Sequence, residues 1–263
     1  MLRRQQFFYI VFLFLLLTLA SGSASVFASL GTNLEVMIGQ MAYEDLVNEY
    51  GGVAVLNPEA ARYLENMFEK IVQANPRQDI AFSVTPLNSS QINAFALPGG
   101  FVFVTRGLLN LVEKPEELAG VLGHEVAHIS HRHGMNAIIR QLGLVALARL
   151  LLGNVEGDTQ LVEMLAGLSI NLLKSGWSRE AEFEADSSGV KFSAQAGFDP
   201  GGLVSFLQKM KELEGDRRQD LVSSWFATHP PTDDRISKLG PLVGEYRSSA
   251  GFSKYPPLPY SWF

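Results

Sequence analysis

The 263-residue chain contains no cysteine. That excludes a disulfide framework, a thiolate metal site, a cysteine nucleophile and a lipidated N-terminal cysteine. Any metal must then be held by imidazoles and carboxylates. Cationic side chains are also few: 21 Lys and Arg stand against 27 Asp and Glu, a net charge of −6, and no basic cluster occurs beyond the first four residues. No nucleic-acid partner is expected, because phosphate binding requires clustered Lys and Arg. Histidine is scarce too, yet four of the five lie between His124 and His133, and the fifth is His229. Long apolar runs are missing except at the N-terminus, where Arg3 and Arg4 precede the stretch from Phe7 to Ala20 and small residues follow from Ser21 to Ser25. This pattern reads as an export signal cleaved between Ala24 and Ala28, with an uncleaved anchor as the alternative. The expected division is 1–28 signal or anchor, 29–247 a single domain, and 248–263 a tail rich in Pro and aromatic residues that packs on the body.

Helical spacing of apolar residues predicts a helix over 33–49, stopped by Gly51 and Gly52. A second is predicted from Pro58 to Gln73, with Asn57 as cap and Ala61, Leu64, Phe68 and Ile71 on its inner face. Three extended stretches follow, Ile80–Val84, Ile92–Ala96 and Phe101–Thr105, separated by the turn formers 86–90 and 98–100. Beyond Gly107 the pattern is helical to about Glu245. Two segments, Ala137–Leu152 and Leu161–Leu173, are more apolar than a surface helix. Their length and charges argue against bilayer spanning. A buried helical hairpin is expected there, with peripheral membrane contact through residues 137–173 as the alternative.

The chemistry concentrates after Pro115. His124-Glu125-Val126-Ala127-His128 is an HExxH pattern on a predicted helix. Residues four apart are rotated by about 40° and separated by about 6 Å along the axis, so both imidazoles leave one face and can share one ion. Glu125 points to the side of that face, where it can act as general base on a water acidified by zinc. A catalytic zinc needs a third protein ligand. A third His six residues after His128, behind a Gly at the third, is one known scheme; Gly134 and His131 occupy those places, so it fails here. Downstream, Glu182 and Asp186 share a helical face: Glu182 can complete the site, and Asp186 can accept the ring N–H of a ligating His. Glu180 and Glu184 lie on other faces and are expected to be solvated. His131 and His133 are expected to be structural.

The stretch from Asn93 to Leu109, the HExxH helix with His133, the Glu182–Asp186 pair, and Thr228-His229-Pro230-Pro231 with Arg235-Ile236 together resemble the CAAX-prenyl-protease-type zinc metallopeptidases, family M-48, which include HtpX-like membrane proteases and BepA-like periplasmic ones. The resemblance implies an α+β, predominantly helical fold of the zincin (gluzincin) type, with a small sheet beside the active-site helix. It also implies one zinc ion per chain, with Glu182 as third ligand beside His124 and His128, and His229 and Arg235 facing the site. A remote His or Arg can stabilise the oxyanion of a tetrahedral intermediate, whereas His229 can instead be a reversible fourth ligand, and Arg235 can simply pair with Asp186 or another acid. Unlike the integral-membrane members the chain shows no clear spanning helices around its motifs, and unlike the lipidated ones it has no cysteine.

The expected function is hydrolysis of internal peptide bonds in unfolded or misassembled envelope proteins, outside the cytoplasm. The segment 93–105 is expected to offer an edge strand to such substrates. A zinc-binding chaperone with little turnover is the alternative.

Overall fold

The computed structural model describes residues 31–141, 159–214, 219–229, 233–249 and 255–263. The N-terminal apolar segment and residues 142–158 of the expected hairpin lie outside them. The first described element is helix α1 over 31–49, followed by α2 over Pro58–Ala74. Asn57 caps α2 by accepting from the Glu59 and Ala60 amides, and Pro58 at the first turn loses no bond by lacking an N–H. The inner face of α2 carries Ala60, Leu64, Met67, Phe68 and Ile71, so Ala60 is buried in place of the expected Ala61.

Strands β1 (Ser83–Leu87), β2 (Ala94–Leu97) and β3 (Phe101–Thr105) form one sheet in the order β1-β3-β2. β1 runs parallel to β3, with Val84 opposite Val102, and β2 is antiparallel, with Phe95 opposite Phe103. The first strand lies three residues beyond the predicted one and contains Pro86, which the sequence placed in a turn. An outer strand tolerates a missing N–H, and the Pro86 carbonyl still accepts from the Ala54 amide.

Among the described residues, seven further helices follow the short α3 (Arg106–Leu111), which Thr105 caps. They are α4 (Pro115–Ser130), a helix α5 described over 133–141, α6 (Thr159–Ser175), α7 (Arg179–Gln195), α8 (Gly202–Glu214), α9 (Gln219–Thr228) and α10 (Asp233–Ser249). The architecture is α+β and predominantly helical, as expected. α4 is its axis, buried continuously from Glu117 to Ile129 and packed against α7, α8, α2 and β2. Leu118, Val121, Leu122 and Val126 interlock there with Phe192, Phe206, Leu203 and Trp225. Residues 255–263 pack on α2: Trp262 is buried, its carbonyl accepts from the Asn57 amide, and the Tyr63 hydroxyl donates to the Pro256 carbonyl.

One crossing decides where the site can form. A Cβ added at Gly189 of α7 would stand 2.7 Å from the His124 backbone nitrogen, and one at Gly123 of α4 would stand 2.8 Å from the Gly189 carbonyl oxygen. Only glycine at both positions lets the two backbones meet this closely. α7 is thereby pressed against the first histidine of the HExxH pattern. Among the described residues no helix is long and apolar enough to cross a membrane.

Candidate active site

Four elements deliver the side chains. α4 supplies His124, Glu125 and His128, and α7 supplies Glu182 and Asp186, all buried. Ser178 caps α7 through the Ala181 amide, which places Glu182 in the first turn, where the helix dipole favours a carboxylate. α9 ends at Thr228, and the next residue, His229, is fully buried with its amide donating to the Trp225 carbonyl. α10 supplies Arg235 from its first turn, also buried.

The structure brings His124, His128, Glu182 and His229 together, one nitrogen or oxygen from each lying within 4.8 Å of all the others. His124 Nε2 is 3.0 Å from His128 Nε2 and 3.3 Å from His229 Nδ1. Glu182 Oε1 is 3.2 Å from His229 Nδ1 and 3.4 Å from His128 Nε2, and its Oε2 is 3.8 Å from His124 Nε2. Bonds of about 2.0–2.2 Å to one tetrahedral ion set neighbouring ligand atoms about 3.3–3.5 Å apart, so this cluster fits a divalent metal. Glu125 points at the same place from the side. Neither of its carboxylate oxygens has a hydrogen-bond partner among the described residues, and its nearest ionisable neighbour is His229 Nε2 at 3.4 Å.

The surroundings are built of opposite charges. Asp186 Oδ1 lies 2.9 Å from His124 Nδ1, off the line of a well-aligned hydrogen bond. Arg235 grips Asp186 through Nε and Nη2, each at 2.7 Å, and reaches Glu182 Oε2 with Nη1 at 2.6 Å. Burial raises the Asp186 carboxyl, but Arg235 and His124 outweigh it and hold it low. Burial likewise works to raise Glu182, and the imidazoles of His229, His128 and His124 override it, keeping that carboxyl well below its ordinary range. His128 is pushed well below the ordinary imidazole value, chiefly by burial, which favours the neutral ring that a metal needs. Burial also raises Glu125, opposed by His229 and His124, which suits a group that must take and return a proton.

Sequence reasoning missed several participants. Glu184, expected to be solvated, meets His133 Nε2 at 3.1 Å with one carboxylate oxygen and stands 3.2 Å from His131 Nδ1 with the other. His133 in turn touches the back of the His128 ring, Nδ1 to Nδ1 at 2.9 Å. Trp177 stacks on His128 with centroids 4.9 Å apart, and Trp225 lies 4.5 Å from His229. Arg77 donates to Glu35 with both terminal nitrogens and to the Ile129 carbonyl, tying α1 to the end of α4. Glu35 and Ile129 lie 42 and 52 positions from Arg77, and no local pattern marks such a pairing.

Residues 58–242 match Peptidase family M48. Among curated proteins, the chain is 29% identical over 215 residues to the mitochondrial metalloendopeptidase OMA1 of Schizosaccharomyces pombe, covering 81% of this chain and 62% of that protein. It is 36% identical over 162 residues to the protein of the same name from Arabidopsis thaliana, covering 62% of this chain and 31% of the relative. A beta-barrel assembly-enhancing protease of Yersinia pestis is 29% identical over 192 residues, covering 70% and 39% respectively. The chain thus spans between about a third and three-fifths of the length of these relatives.

Proposed function

Because the chain belongs to Peptidase family M48, a family of metalloendopeptidases, we propose that His124, His128 and Glu182 hold one zinc ion and that Glu125 is the general base of peptide hydrolysis. The observation that carries this reading is the convergence of His124 Nε2, His128 Nε2 and the Glu182 carboxylate at 3.0–3.8 Å beside the fully buried Glu125 carboxylate, which has no hydrogen-bond partner among the described residues. Two imidazoles and a carboxylate in a tetrahedral cluster suit zinc. The ion, when bound, supplies the Lewis acidity that polarises a peptide carbonyl and acidifies a water. Glu125 takes the proton of that water and returns it to the leaving amine. Asp186 orients His124, and Arg235 holds Asp186 and Glu182 in place rather than meeting the substrate.

The substrate strand adds to β2, an outer strand of the sheet. β2 pairs with β3 along its whole length, and the Ala94 carbonyl also accepts from His229 Nε2. Backbone pairing of this kind selects extended chains over particular side chains. Unfolded or misassembled proteins of the cell envelope are therefore the proposed substrates, in keeping with the signal-like N-terminus and with a relative named for β-barrel assembly. Residues 1–28 serve as signal or anchor, 29–247 as the peptidase domain and 248–263 as its tail.

Substituting Glu125→Gln tests the reading. Zinc uptake is expected to persist while cleavage of an unfolded casein substrate disappears; continued cleavage would refute it in favour of a chaperone-like protein contaminated by another protease.

A second reading concerns His229. Its Nδ1 sits at tetrahedral distances from His124 Nε2 and Glu182 Oε1, which favours a reversible fourth ligand over an oxyanion donor. Activity that rises in His229→Ala supports latency, and activity that falls supports the oxyanion role.

A further inference from the structure

We propose that His133 is a positioning residue for the metal centre, holding the Nδ1–H of His128, and that Glu184 fixes the tautomer in which it does so. The inference rests on the reading above that His128 binds metal through Nε2. A neutral imidazole carries one N–H. With Nε2 of His128 facing His124 and Glu182, the proton belongs on Nδ1 and needs an acceptor. The atom that meets it is Nδ1 of His133, at 2.9 Å. For that nitrogen to accept, the proton of His133 must sit on Nε2, and Nε2 faces Glu184 Oε2 at 3.1 Å.

The carboxylate is itself held. Its other oxygen, Oε1, lies 3.2 Å from His131 Nδ1, and His131 Nε2 lies 2.7 Å from the Ser188 hydroxyl, which donates to it in the same assignment. Every proton in the chain Ser188, His131, Glu184, His133, His128 thus has a matching acceptor in one assignment. Geometry around the rings keeps it so: Trp177 stacks on His128 at 26°, and His131 stacks on His133 at 19°. The backbone makes the return possible. α4 ends at Ser130, and Arg132 adopts φ +54°, which turns the chain so that His133 comes back to the ring five residues before it.

The two histidine ligands are therefore supported unequally. His124 faces a fully buried carboxylate directly, whereas His128 reaches one that is 54% exposed, and only through an intervening imidazole. Outer partners of metal-bound histidines contribute about 10–100-fold in metal affinity.

The test uses the full chain loaded with zinc. Nitrogen-detected NMR of histidine-labelled protein is expected to show His128 as the Nδ1–H tautomer and His133 as the Nε2–H tautomer. A His133 ring protonated on Nδ1 overturns the proposal. In competition with a chelator, His133→Phe is expected to lower zinc affinity about 10–100-fold and Glu184→Ala about tenfold. A folded His133→Phe protein with wild-type affinity also overturns it. If the wild-type chain takes up no zinc, the metal-centre reading fails first and removes the premise; wild-type uptake with unaffected variants sinks this inference alone.

Discussion

Substituting Gly189→Ala probes the contact on which the whole site depends. The new methyl would lie 2.7 Å from the His124 nitrogen, 2.9 Å from its Cα and 3.0 Å from the Gly123 carbonyl carbon, all backbone atoms that cannot rotate away. Restoring an ordinary 3.4 Å contact requires α7 to retreat from α4 by about 0.7 Å. Overpacking of this kind costs about 1–3 kcal/mol, partly offset by the roughly 1 kcal/mol gain in helix propensity from Gly to Ala. The fold should survive. Metal ligation should not, since ligand distances tolerate only about 0.2 Å and Glu182 rides on the displaced helix. We expect a folded protein, its melting temperature lowered by a few degrees, with zinc affinity reduced at least tenfold. Circular dichroism melts and chelator competition on one preparation read both. A variant with wild-type affinity would show that the helix crossing does not set the ligand geometry.

Glu182→Ala should fold but retain no stoichiometric zinc by elemental analysis, because two histidines and His229 lack the anionic ligand; full occupancy would mean the third ligand lies elsewhere. Arg235→Met leaves Glu182 and Asp186 buried beside each other without their cation, at a cost of about 3–5 kcal/mol; a loss below about 1 kcal/mol in urea titration would contradict the charge-pairing account. For Glu117, burial raises the carboxyl, but the Glu113 amide, Lys209 and Ser205 together lower it. Its folded value lies below the unfolded value of about 4.3, so its stabilisation is present above that pH and lost as pH falls through the folded value. The stability gap between wild type and Glu117→Gln should accordingly narrow from pH 7 to pH 3, and a gap independent of pH would contradict this.

The shifted and missed features have physical causes. Pro86 reads as a turn former because it lacks an N–H, yet an outer strand leaves that side without need of one. Glu184 reads as solvated because its own helix turns it outward and it is indeed half exposed, while its partners His131 and His133 arrive from a different segment. The return of His133 to His128 was not foreseen either, since it needs α4 to stop at Ser130 and the chain to turn at Arg132.

Local periodicity was sufficient to place His124 with His128 on one face and Glu182 with Asp186 on another, because a helix repeats every 3.6 residues whatever surrounds it. Composition alone restricted any metal to imidazole and carboxylate ligands. That the two faces meet, that His229 and Arg235 close around them, and that His133 returns to His128 was decided by the tertiary structure. All but the last join residues separated by dozens of positions, and the last spans only five; they follow from close backbone approach at Gly123 and Gly189 and from one left-handed residue, neither of which any short-range pattern encodes.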